Sequence, residues 1–386
     1  MSTYYAPTKL YIGKEEQNVG QVIAGYGFKK VLFVYGGGSI KRSGLYDTIK
    51  KSLLGANLKI VEAGGVEPNP KIGFVRSVIA SKPDIDFILA VGGGSVIDTA
   101  KSISVGLAGG IDPWEYSMGR AKPTKALPIG VVLTIAAAGS EMSDSCVISD
   151  PDSLEKRGFN SDLFRPLFSI MNPELTFSVS RYQTACGVVD IMMHTLERYI
   201  TDRPGSLANE FAIGLLKTVM ESGVTAAEEP EDYEARKQLM LASSFSHNGL
   251  TNIGRGMCFR VHQFEHAISG VFDRVSHGAG LAVCWPAYSL FIYKNPKVLP
   301  KFVRLSRDLF YIPDSGDAEK DALEGINKMK KFFSALDMPT TLGELGIDAS
   351  SIPQLAWMCS RGKTRVINDV VPIGYDEMEQ IFNLMV

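Results

Sequence analysis

FILAVGGGSVIDTAK, residues 87–101, decides how the first half of the chain is built. Phe87 to Val91 is an apolar run of the kind that forms a buried parallel strand, three glycines follow, and the chain continues at once as a helix. In a strand, glycine turn and helix arranged this way, backbone N–H groups and a helix N-terminus can face an anionic phosphate. The spacing is neither GxGxxG nor a Walker pattern, and three glycines also suffice for a tight turn alone. Their place at the carboxyl end of an apolar strand is the usual ligand position of an open α/β sheet.

The same grammar extends on either side. VLFVYGGGS, 31–39, is a second strand delivering the chain to glycines, which let a backbone approach a ligand closely. Lys9 to Ile12 reads as a strand, 16–26 as a helix, and Leu58 to Val61 as a strand leading to EPNPK at 67–71. Residues 127–148 add an apolar strand and a turn of small residues, Ala136 to Ser140. Residues 155–180 read as a hairpin and return strand. After Ser180 the periodicity becomes helical, at 182–200, 206–222, 231–248, 260–270, 281–293, 317–336 and 374–385. The chain therefore divides near 180 into an α/β nucleotide-binding domain, 1–180, and an all-helical domain, 181–386.

With 386 residues and a formal net charge of −2, the composition is that of an ordinary globular protein. No basic run or basic-aromatic stripe marks a nucleic-acid surface, and no apolar stretch has the length of a membrane span. The N-terminus lacks the pattern of a secretory signal. Five cysteines without close pairs imply neither a disulfide framework nor a CxxC zinc site, so reduced thiols and a cytoplasmic location are expected.

YQTACGVVDIMMHTLERY, 182–199, reads as a helix with Asp190 and His194 one turn apart on one face. Such a pair is often only hydrogen-bonded. Four of the five histidines, however, fall between His247 and His277. His262 and His266 again stand one turn apart, and His277 follows in a loop-like SHGAG. One carboxylate and three imidazoles suit Zn²⁺ or Fe²⁺ with a coordination position left for water or substrate.

Taken together, the 182–199 helix, the His262/His266/His277 set, GGGSIKRSGLYD at 36–47, GGGSVIDTAK and AGSEM resemble the iron-containing (group III) alcohol dehydrogenases, butanol dehydrogenase-like branch. The resemblance covers essentially the whole chain, with the motifs in family order. It implies that the α/β domain is Rossmann-like and binds NAD(P), that the helical domain holds one Fe²⁺ or Zn²⁺, and that the chain forms a homodimer. It implies Asp190, His194, His262 and His277 as metal ligands, with His266 as the active-site histidine near the nicotinamide. Gly94, Ser95 and Asp98 match the pyrophosphate turn, and Gly37, Gly38 and Ser39 the turn beside the adenosine ribose. Asn69, Thr134, Ser143 and Lys156 match other cofactor-lining positions. The chain departs from the family in having Ala138 for a threonine, MCFRV for a GDWAT-like run before His262, and Ala267 for a glutamate. The interval from His266 to His277 is one residue longer.

The expected reaction is hydride transfer between nicotinamide C4 and the carbonyl carbon of a primary aldehyde, with the metal polarising the oxygen. His266 is either a proton relay to solvent or an outer packing group. Lys41 and Arg42, with no carboxylate on their turn, favour NADP over NAD. Phe259 and apolar neighbours suggest a chain-like or aromatic alcohol as the small-molecule substrate. The rival readings are a dehydroquinate synthase-like lyase, for which no Lys/Arg cluster appears beside the histidines, and an inactive nucleotide- or metal-binding relative.

Overall fold

The structure is a computed structural model describing residues 3–256, 259–368 and 370–386. Met257 and Cys258 of the MCFRV run lie outside the described residues. By internal contacts the chain forms two units: an α/β unit of Tyr5–Val179 with Glu231–Ser244, and a helical unit of Met1–Tyr4, Ser180–Pro230 and Phe245–Val386.

In the α/β unit the strands of the main sheet are β1 (Lys9–Ile12), β2 (Lys30–Gly36), β3 (Lys59–Val66), β4 (Phe87–Gly92), β5 (Ile129–Leu133) and, after the hairpin of β6 (Ser145–Asp150) and β7 (Glu155–Asn160), β8 (Phe168–Met171). They pair in the order β1-β8-β5-β4-β2-β3, all in parallel. Central β4 and β5 are buried throughout, as uninterrupted apolar runs require when both faces are covered. The helices are α1 (Val19–Gly25), α2 (Ser39–Arg42), α3 (Leu45–Gly55), α4 (Ile72–Ala80), α5 (Gly94–Gly109) and α6 (Pro113–Ser117). The hairpin lies at 145–160, earlier than the 155–180 stretch expected to hold it, because Ser145–Asp150 pairs antiparallel with Glu155–Asn160 and leaves β8 as the return strand.

The rest of the chain follows with α7 (Arg181–Tyr199), α8 (Ser206–Glu228), α9 (Tyr233–His247), α10 (Val261–Val271), α11 (His277–Ile292), α12 (Leu299–Phe310), α13 (Ala318–Ala335), α14 (Ile352–Cys359) and α15 (Tyr375–Asn383). Residues 184–199 of α7 are all buried, so this helix is the core of its unit. The Ser180 hydroxyl caps its start by accepting from the Gln183 N–H at 3.2 Å. Two of these helices, α12 and α14, carry a proline in the first turn, where its missing N–H costs nothing.

Helix α9 is divided between the units, and its residues to Ser244 go with the sheet. The attachment is chemical as well as apolar. Met240 joins the core beneath β4 and β5, the Ser243 hydroxyl accepts from the Gly139 N–H at 3.0 Å, and the Ser244 hydroxyl donates to buried Glu141 at 2.6 Å. Burial pushes the Glu141 carboxyl up from its ordinary range, against the stabilisation its serine donors give the charged form.

Candidate metal centre and cofactor turns

Helices α7, α10 and α11 bring four expected residues to one point. His194 Nδ1, His262 Nε2 and His277 Nε2 lie 3.4, 3.6 and 3.8 Å from the same atom, Asp190 Oδ1. A divalent ion with bonds of about 2.0–2.1 Å in tetrahedral geometry separates its ligands by about 3.3–3.4 Å, so the spacing suits one shared ion and is long for direct hydrogen bonds. Asp190 Oδ1, His194 Nδ1 and His262 Nε2 are buried with no hydrogen-bond partner. Unpaired buried polar atoms are costly, and three pointing at one spot fit a metal.

Titration in the metal-free protein follows from the surroundings. Burial and then the neighbouring imidazoles of His247 and His262 push the pKa of His194 well down. Burial works against a charged His262 too, but the carboxylates of Glu197 and Asp190 outweigh it and push its pKa up to about 9. A metal bound through Nε2 would displace that proton.

His277 is the first residue of α11, where a loop was expected. Gly278 and Gly280, which suggested the loop, serve close helix packing. A Cβ on Gly278 would lie 2.1 Å from the Cys186 carbonyl oxygen of α7, and one on Gly280 would lie 2.8 Å from Glu265 Cγ of α10. The glycines thus let α11 come near enough for His277 to reach Asp190.

His266 is half-buried, its ring 6.3 Å from that of His262 and 5.8 Å from that of His277. It stands beside the Asp190 cluster and groups with Glu265 and His277. The fifth histidine, His247, packs its ring 4.1 Å from His194, so all five are contiguous. Phe259 lies against three of them: its ring is 4.7 Å from His262, 5.7 Å from His194, and stacked on His247. The Arg198 guanidinium, 4.6 Å from the Phe259 ring centre, holds it further by a cation–π contact.

The sequence reading missed two groups behind the candidate donors. Glu197 hydrogen-bonds His262 Nδ1, and Glu265 hydrogen-bonds His277 Nδ1. The signals were weak but present: Glu197 stands seven residues after Asp190 on α7, and Glu265 three after His262 on α10.

In the α/β unit the expected cofactor residues divide. Gly37 has nothing near a would-be Cβ, and Gly38 has φ +142°, a conformation strained for any other residue. Ser39 follows as the first residue of α2, exposed. Asn69 and Lys156, 87 residues apart, meet through a 3.1 Å hydrogen bond. Thr134 is half-buried, its N–H donating to the Gly92 carbonyl at 3.1 Å. Gly94 and Ser95 open α5.

Asp98, half-buried, and Ser143, buried, are by contrast bonded inside the protein. Asp98 accepts from the Ser140 hydroxyl at 2.5 Å and the Val147 N–H at 2.9 Å. Lys101, fully buried, donates to Ser140 Oγ, to the carbonyl and hydroxyl of Ser143, and to the Ser145 carbonyl. Burial pushes the Lys101 ammonium down and the Asp98 carboxyl up in pKa, each opposed by the other's charge. This network fixes the 140–147 segment onto α5, behind the glycine turn.

Comparison with known proteins agrees with this geometry. Residues 7–173 match the model for iron-containing alcohol dehydrogenase, and residues 184–385 that for the Fe-containing alcohol dehydrogenase family, C-terminal. NADH-dependent butanol dehydrogenase A of Clostridium acetobutylicum is 38% identical over 383 residues, covering 98% of each chain. NADPH-dependent aldehyde reductase YqhD of Escherichia coli is 35% identical over 334 residues, 84% of each. The crystal structure of NADH-dependent butanol dehydrogenase A from Thermotoga maritima superposes with a TM-score of 0.95 at 33% identity, covering 100% of this chain and 98% of that one. These matches lend nothing to the lyase or inactive-relative readings. The chain belongs to the iron-containing alcohol dehydrogenase family, in its butanol dehydrogenase-like branch.

Proposed function

We propose that this alcohol dehydrogenase/aldehyde reductase interconverts primary alcohols and aldehydes at one Fe²⁺ or Zn²⁺ held by Asp190, His194, His262 and His277, with NADPH as the favoured cofactor. The observation that carries the metal assignment is the set of buried, unpartnered donor atoms around Asp190 Oδ1. When bound, the ion supplies Lewis acidity towards the substrate oxygen and the nicotinamide supplies the hydride. The chain's own residues do the rest. Asp190 contributes the anionic donor and the histidines neutral ones, Phe259 forms an apolar wall beside them, and His266 passes a proton towards solvent. That wall favours a chain-like or aromatic substrate.

On the cofactor side, Gly37, Gly38, Ser39, Gly94, Ser95 and Thr134 line the phosphates and ring through backbone and small side chains, and the Asn69–Lys156 pair adds a polar contact. Asp98 and Ser143 support that surface from within. The preference for NADPH rests on the 36–44 turn, which has cations and no carboxylate. Arg42 NH1 lies 3.4 Å from where a Cβ on Gly38 would be, and Lys41 lies over the rings of Tyr35 and Tyr46. The carboxylate of Glu62 on neighbouring β3 is engaged by Lys50, Tyr46 and Tyr35. A 2′-phosphate would therefore meet donors.

A homodimer is proposed on the family resemblance. A cytoplasmic site is proposed on the unpaired thiols of Cys146, Cys186, Cys284 and Cys359. No helix of the described residues is long and apolar enough to cross a membrane. Elemental analysis of the purified protein, with a panel of aldehydes and alcohols followed through NADPH absorbance, tests the proposal. Stoichiometric iron or zinc and aldehyde-dependent NADPH oxidation are expected; a metal-free protein that turns over at full rate refutes it.

A further inference from the structure

The four donors around Asp190 are the inner part of a larger buried array. An imidazole whose Nδ1 donates a hydrogen bond keeps its lone pair on Nε2. In His262 and His277 alike, Nδ1 is held by a glutamate while Nε2 faces Asp190 Oδ1. The two glutamates are almost completely enclosed, Glu197 at 3% and Glu265 at 0% exposure.

Their supports differ. Glu197 comes from the last turn of α7, and its second oxygen, Oε1, accepts from the N–H groups of Arg260 and Val261 (the latter at 2.5 Å), which open α10. Arg260 answers in the opposite direction, its guanidinium donating to the carbonyls of Glu197 at 2.9 Å and Ile200 at 2.7 Å, where α7 ends. The end of one helix and the start of the next are thus clamped both ways around the His262 contact. Glu265 projects from α10, one turn past His262, to the first residue of α11.

We propose that Glu197 and Glu265 are positioning residues of the metal site, each fixing the tautomer and aim of one ligand imidazole, and that Arg260 locks Glu197 in that role. The proposal rests on reading His262 and His277 as ligands. A carboxylate behind an imidazole also raises the basicity of the nitrogen facing the metal. The buried charges near the site are three negative, on Asp190, Glu197 and Glu265, and two positive, on Arg198 and Arg260, all 4% exposed or less, so a divalent ion brings the set to net positive by one. Without the two glutamates the same ion would stand in a far more positive site with freely turning rings.

The test compares wild type with Glu197→Gln, Glu265→Gln, Arg260→Ala and His262→Ala. Each is stripped by chelator, and Co²⁺ and Zn²⁺ binding are titrated; the visible Co²⁺ spectrum and the thermal midpoint of the metal-free form are recorded. A glutamine at 197 or 265 keeps the size but loses the charge, so metal affinity should fall about 10–100-fold with a shifted Co²⁺ spectrum. Metal-free thermal midpoints near that of wild type are expected for Glu265→Gln. Arg260→Ala should weaken binding less, and its effect should not add to that of Glu197→Gln. Wild-type affinity and spectrum in both glutamine variants would overturn the proposal while leaving the ligand assignment standing, provided His262→Ala loses the metal. If His262→Ala binds metal normally, the ligand assignment itself fails. An affinity loss with an unchanged Co²⁺ spectrum and a matching fall in metal-free stability would overturn the proposal in favour of a purely architectural role.

Discussion

Where α7 and α10 meet, Asp190, His194 and His262 each present a buried polar atom that makes no hydrogen bond, whereas around the first turns of α5 the expected side chains Asp98 and Ser143 are already bonded to the protein itself. A metal needs lone pairs, and a fold holding lone pairs in reserve must bury atoms unsatisfied. A dinucleotide needs mainly backbone N–H groups and room, and those come from glycines backed by a rigid, fully bonded underside. On the proposed reading the side-chain motif is the ligand in one region and the foundation in the other.

The severest test of this contrast removes the reserved donor. Asp190→Ala should abolish bound metal and turnover while circular dichroism and the thermal transition remain those of a folded protein, since Asp190 Oδ1 makes no hydrogen bond within the chain. Elemental analysis and the aldehyde assay read the outcome. Full activity retained after chelation would put the metal elsewhere and dissolve the comparison.

How much of this was readable depended on whether the signal was periodic. Asp190 with His194, and His262 with His266, announce themselves through helical spacing, and the glycine-ended strands β2 and β4 through their apolar runs. His277 was identified but misplaced, because glycines that serve close packing look the same in a sequence as glycines that make a loop. Helices α12 and α14 went unread, although Pro300 and Pro353 are at home in a helix's first turn. Glu197 and Glu265 resemble any helical glutamate until the neighbouring helices are in place. The attachment of Glu231–Ser244 to the sheet depends on Glu141, about a hundred residues away, and local periodicity carries no trace of it.

On the other side of the contrast, Lys101→Met should destabilise the α/β unit by about 3–5 kcal/mol, the usual cost of removing one member of a buried charged network. Lys101 is completely enclosed and satisfies four oxygens, including both polar groups of Ser143. Denaturant unfolding would show the loss, while metal content per folded molecule should stay at the wild-type value. A variant as stable as wild type would mean the network is not a foundation.

A smaller effect is expected on the open turn. Gly38→Ala places a side chain at φ +142° and brings its Cβ to 3.4 Å from Arg42 NH1. The strain, about 1–3 kcal/mol, should appear mostly as a severalfold higher KM for the cofactor, with metal affinity unaltered. An equal rise in the KM of the alcohol would show that the turn serves more than the cofactor.

The smallest change decides between the two nicotinamide cofactors. Arg42 is exposed, so its contribution is screened by solvent and should stay modest even if it meets a phosphate directly. Arg42→Ala should raise the KM for NADPH roughly threefold to tenfold and leave that for NADH nearly unchanged, because only the former carries a 2′-phosphate. Relatives on both sides of that choice exist, an NADH-dependent butanol dehydrogenase at 38% identity and an NADPH-dependent aldehyde reductase at 35%, so overall similarity does not settle it. The local argument is that Glu62, the carboxylate on the strand beside the turn, is held by Lys50 and two tyrosines, leaving the cations of the turn unopposed. An unmodified protein that prefers NADH, with Arg42→Ala shifting neither constant, would show that Glu62 or backbone alone reads the ribose and that the cations merely face water.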